Sequence, residues 1–142
     1  MRGKQIQDQL KRVDELSASL TGFDEIDLAG AGVGQEYLDE LVRGAGKVNV
    51  SALLAEAAST GSSKPKLRKL YNDNRFGPLL RNIVMMWYTG SWYPLPEGWQ
   101  NQFRPDEDRV AEHVVSANAY REALWSVAIG AHPRGAMPQG FG

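Results

Sequence analysis

The sequence predicts an all-α fold, an irregular bundle of about five helices with a long aromatic and proline-rich loop and an extended C-terminal tail. Three observations carry that expectation. Apolar residues recur at steps of three and four in several segments. Breaks marked by Gly or Pro separate those segments. No apolar–polar alternation lasts long enough to build a sheet. The 142 residues suit one domain spanning 1–142. A hydrophobic fraction of 42% and a charged fraction of 23% are ordinary for a chain with a packed core.

The first helix is expected over 4–20, where Ile6, Leu10, Val13, Leu16 and Leu20 share a face. Thr21-Gly22 stops it, with Gly22 as a left-handed closing residue. Residues 24–31 read as a connection. A second helix runs from about Gly32 to Arg43 with Val33, Tyr37, Leu38 and Leu41 inward, and Gly44 and Gly46 end it. Asn49 or Ser51 is expected to cap a third helix through Leu53, Leu54 and Ala57. Residues 59–65 form a break, and a short helical piece follows around Leu67 to Tyr71. Pro78 suits the first position of a fifth segment, the most apolar one, running to Thr89. Leu79, Leu80, Ile83, Val84, Met86 and Trp87 wrap so much of it that it should be central, with Gly90 closing it. Residues 91–112 carry two Pro and two Trp and are expected to be a loop. A last helix is expected at about Ser116 to Val127, then an extended tail over 130–142.

Few residues point to chemistry. A net charge of −1 speaks against a nucleic-acid binder that works by bulk charge. With no cysteine, the chain holds no disulfide or thiolate metal site. Its two histidines, His113 and His132, lie far apart, which disfavours a His-rich metal site. Gly30-Ala-Gly-Val-Gly has the wrong glycine spacing and no preceding strand for a dinucleotide loop, so a helix start is the better reading. Asp24, Glu25 and Asp27 miss the calcium-loop pattern, and capping by Asp27 explains them more simply. Ser17, Ser19 and Ser116 sit in helical patterns with no nucleophile elbow. The apolar stretch 83–88 is too short to cross a bilayer. No signal peptide opens the sequence, so the expectation is a cytosolic protein or a removed signal.

Two features stand out. Residues 64–81 hold six cations against Asp73 alone, while residues 97–112 hold five acids against Arg104 and Arg109. These are either solvated faces or complementary steering patches for a protein partner. Trp87, Tyr88, Trp92, Tyr93, Trp99 and Phe103 cluster between 87 and 103. Trp87 belongs to the core. The rest suit a partner interface, a carbohydrate-stacking site, or a loop packed on its own bundle.

Three blocks carry a resemblance. Leu16-Ser-Ala-Ser-Leu-Thr-Gly22 leads into Ile26-Asp27 and Gly34-Gln-Glu-Tyr37-Leu38-Asp-Glu-Leu41. Ile83-Val-Met-Met-Trp87-Tyr88-Thr-Gly90 is the second and Ala119-Tyr120-Arg-Glu-Ala123-Leu124-Trp125 the third. In this order they resemble the small (gamma) subunits of bacterial membrane-bound FAD-dependent sorbitol, fructose and glucose dehydrogenases. The resemblance implies a non-catalytic accessory subunit with no cofactor of its own. Its partner would be a large flavoprotein that holds the FAD and oxidises the sugar, and a multihaem cytochrome c subunit commonly takes the electrons. It also implies periplasmic location through twin-arginine export, although that signal is absent from this sequence. The 92–109 stretch looks longer than the family's. The contacts expected with the flavoprotein are Trp92, Tyr93, Trp99 and Phe103 in the loop, and His132, Arg134, Met137 and Phe141 in the tail. No direct membrane span and no nucleic-acid partner are expected.

Overall fold

The structure, a computed structural model, describes residues 2–24, 26, 28, 30, 32–61 and 63–116. Among them are six helices and one two-stranded ribbon, so the all-α expectation holds. The helices are α1 (Arg2–Thr21), α2 (Gly34–Ala45), α3 (Lys47–Thr60), α4 (Lys64–Tyr71), α5 (Gly77–Thr89) and α6 (Glu97–Phe103). Strands β1 (Ser91–Trp92) and β2 (His113–Val114) flank α6. The last helix expected from Ser116 and the tail over 130–142 lie outside the described residues, apart from Ser116 itself.

Helix α5 is central, as its composition requires. It packs against α1, α2, α4 and β1, and Leu79, Leu80, Ile83, Val84 and Met86 are buried. Pro78 sits in its first turn, and Gly90 ends it with a left-handed φ of 72°. Around it, α1 contributes Val13 and Leu16, α2 contributes Tyr37, Leu38 and Leu41, and α3 contributes Val50, Leu53 and Leu54 to one core. Fully burying one such aliphatic side chain contributes about 1.5–3 kcal/mol, which is why the 3.6-residue stripes locate these helices.

Helix ends differ from expectation where side chains reach across the fold. Asp24 Oδ1 accepts from Ile26 N at 2.9 Å. Ile26, Leu28 and Gly30 are helical, so the connection contains a helical turn; Asp27 is outside the described residues. Gly44 lies inside α2 rather than ending it, and Gly46 makes the one-residue link to α3. Asn49 does not cap α3. It lies within the helix, donating to the Ala45 carbonyl at 2.8 Å and accepting from Arg75 Nε at 2.9 Å. Ser51 does not cap it either, since α3 begins at Lys47 after Gly46. The break is shorter than expected: α3 runs to Thr60, and Ser63 Oγ caps α4 by accepting from Lys66 N.

The segment expected to be a loop is an ordered excursion. β1 and β2 pair antiparallel, with Ser91 opposite Val114 and Trp92 opposite His113. Val115 N and Ser116 N both donate to the Gly90 carbonyl, at 2.7 and 3.1 Å, so the chain returns to the end of α5. Buried Asn82 of α5 fixes the outgoing arm. It accepts from Tyr93 N at 2.9 Å and donates to the Tyr93 carbonyl at 3.0 Å. Substituting Asn82→Ala leaves both backbone groups without that partner, and urea unfolding should show a loss of about 2–4 kcal/mol. A loss below about 0.5 kcal/mol would mean the arm is held elsewhere.

Candidate functional site

The four loop aromatics expected at a partner surface are largely turned inward. The Trp92 ring is 0% exposed and Trp99 is 4% exposed; both belong to the main core. Trp92 lies over α2, where Gly44 leaves room: a Cβ there would collide with the indole. Trp99 donates from Nε1 to the Arg75 carbonyl at 2.8 Å and packs on Phe103, with ring centroids 5.4 Å apart. Phe103 and Tyr93 are half-buried. The expectation of exposed Trp92 and Trp99 is therefore corrected. The segment packs its buried side chains on α2, α5 and the Arg75 turn. His132, Arg134, Met137 and Phe141 lie outside the described residues.

What the excursion does assemble is a charged cluster over the C-terminal end of α2. Arg104 donates from Nη1 to the carbonyls of Arg43 and Gly44, both at 3.1 Å. A cation there meets the negative end of the helix dipole and satisfies terminal carbonyls that have no partner within the helix. Arg109 clamps Glu97 with Nε and Nη2 and reaches Asn101, at distances from 2.6 to 3.1 Å. Between these groups opens a shallow cleft of about 700 Å³, walled by Arg43, Arg104, Asp108, Arg109 and His113.

His113 is the best-defined group in it. Nε2 is 2.7 Å from Glu40 Oε1 and Nδ1 is 2.8 Å from the Ala111 carbonyl oxygen. Both neighbours are acceptors. A neutral imidazole can donate from one nitrogen only, so the imidazolium satisfies the geometry. Its pKa is accordingly raised, first by the Ala111 carbonyl and then by Glu40, against the opposing effects of burial and of Arg43. Glu40 is only 8% exposed; Arg43 Nη1 lies 3.5 Å from the same carboxylate oxygen. With both ring nitrogens engaged by the protein, this geometry leaves neither facing the cleft for proton transfer to a ligand.

Sequence reasoning used His113 only to note that two distant histidines disfavour a His-rich metal site. The available signal was Glu40. It falls on the inward stripe of α2 with Tyr37, Leu41 and Gly44, and an acid on a buried face needs a partner. The partner is 73 positions away, which periodicity does not reveal. Of the glycines at 30, 32 and 34, Gly34 has a packing reason: a Cβ there would meet Asp14 Oδ1 at 2.9 Å, so Gly34 admits a buried carboxylate beside the start of α2. Among the described residues no group of His, Asp and Glu could hold a metal ion, and no helix is long and apolar enough to cross a membrane.

Comparison with known proteins finds no family that matches the chain, no similar curated protein and no similar solved structure. The resemblance therefore rests on its sequence blocks. The first two meet in space. Tyr37 stands edge-on to Trp87 with centroids 4.9 Å apart. Tyr88 Oη donates to the Thr21 carbonyl at 3.3 Å, and its ring lies 5.5 Å from Phe23. The third block lies outside the described residues.

Proposed function

We propose that this chain is a non-catalytic accessory subunit of an FAD-dependent sugar or polyol dehydrogenase. It would bind and stabilise the large flavoprotein and assist its maturation or export to the periplasm, with a multihaem cytochrome c as a further member of the complex. The supporting observation is the ordered series of blocks at 16–41, 83–90 and 119–125. Two of them build one junction of α1, α2 and α5 around Trp87 and Tyr88. What the blocks share with the dehydrogenase small subunits is then a way of joining helices, as expected of a scaffold. The alternative, a stand-alone sugar-binding module, asks for open Trp faces, and Trp92 and Trp99 do not offer them.

The test is affinity purification of the tagged chain from its native host. A flavin spectrum in the eluate, together with sugar- or polyol-dependent dye reduction, supports the proposal. A chain that elutes free of flavin and of that activity overturns it.

A further inference from the structure

Helix α4 has an unusual charge pattern. Its eight residues include Lys64, Lys66, Arg68 and Lys69 and no acid. All four cations are exposed. Lys64 and Lys66 occupy the first turn, where the helix dipole is positive and a cation is unfavourable. Arg81 of α5 extends the patch; its guanidinium lies over Tyr71 at 5.5 Å. None of these five forms an ion pair among the described residues. The nearest acid in sequence, Asp73, is taken up in the turn, where Oδ1 accepts from Arg75 N and Phe76 N at 2.7 and 3.0 Å. Arg75 is not part of the patch, because its guanidinium bonds Asn49 and lies over Phe76 and Phe103.

So α4 carries mutually repelling charges, two at the wrong helix end, and no carboxylate among the described residues pairs with them. An exposed cluster of one charge sign suits docking to an oppositely charged partner surface, which it steers and orients. We infer that the exposed face of α4, with Arg81, is the docking surface for a carboxylate-rich face of a folded protein. On the reading above, which this inference rests on, that protein is the flavoprotein subunit. A folded partner fits better than the other polyanions. The rest of the chain is net acidic, with Asp106, Glu107, Asp108 and Glu112 all exposed, which disfavours a nucleic acid held by bulk charge. On α4 itself Leu70 is buried and Leu67 half-buried, which leaves little apolar surface to enter a lipid layer.

The test compares tagged wild type with Lys66→Glu/Arg68→Glu/Lys69→Glu and with the neutral Gln triple variant, purified from the native host. Flavin per mole of chain should fall at least about tenfold for the Glu variant and less for the Gln variant. Both should unfold at temperatures equal to or above wild type, because the repulsion is relieved. Flavin retained equally by all three overturns the docking face and leaves the accessory role standing. Flavin absent from wild type overturns both. Binding of wild type to duplex DNA or to phosphatidylglycerol vesicles that is stronger than its flavoprotein binding, and lost in the Glu variant, also overturns this assignment. A fall in flavin accompanied by a lower unfolding temperature would mark a folding defect. The Gln variant, which removes the charges without introducing acids, then decides: if it is stable and still holds wild-type flavin, the assignment fails.

Discussion

Trp92→Ala is expected to lower unfolding free energy by about 3–5 kcal/mol, the range for truncating a large buried aromatic. The ring is fully enclosed, and the strand that carries it is two residues long. The reciprocal change, Gly44→Ala, should cost about 1–3 kcal/mol by overpacking, since the new methyl would enter the indole's space. The double variant is the informative one. With the indole gone, the methyl introduced by Gly44→Ala has room, so the combined loss should be smaller than the sum of the two. Trp92→Phe should be milder than its size change implies, because the indole N–H has no acceptor among the described residues. Urea unfolding of wild type and these variants measures all of this. A near-neutral Trp92→Ala would return Trp92 to the exposed surface that the sequence suggested.

The second large effect is pH-dependent. His113 has a raised pKa in the folded state, so the folded chain binds its proton more tightly than the unfolded chain does. The resulting stability is fully present below the unfolded value of about 6.5 and is lost as pH rises through the folded value. Unfolding free energy measured from about pH 6 to pH 9 should decline through that window. Glu40→Gln should cost about 1–3 kcal/mol at the acidic end, as expected for a lost charge-assisted hydrogen bond, and should flatten the decline. His113→Ala should cost more than Glu40→Gln, because among the described residues it leaves the buried carboxylate with only the 3.5 Å contact to Arg43. A profile for Glu40→Gln as steep as wild type would show that Glu40 does not hold the proton.

These two sites mark where the sequence could be read and where it could not. Helices α1, α2, α3 and α5 were legible because each buries side chains along three turns or more, and α5 was bounded by Pro78 and Gly90 as local chemistry requires. The ribbon was not, because two residues per strand carry no period. Nor was α6, whose seven residues follow Pro96 and include Gly98. The aromatic cluster was seen, but Trp92 and Trp99 were expected at a partner surface and are buried. The burial of Trp92 depends on the absence of a side chain at Gly44, 48 positions earlier in the chain. The charge asymmetry of 64–81 was legible, but its exposure on a helix without an acid required the fold.

The closure at Gly90 has an evolutionary consequence. Because Val115 and Ser116 return to the carbonyl that ends α5, the intervening stretch leaves and rejoins the bundle at one point. Its outermost turn, around Asp106 and Glu107, is exposed. Lengthening it there alters loop-closure entropy by only about 0.6 kcal/mol per doubling. The bundle can therefore keep its architecture while this cassette drifts in size, so homologous chains should differ in length here before they differ elsewhere.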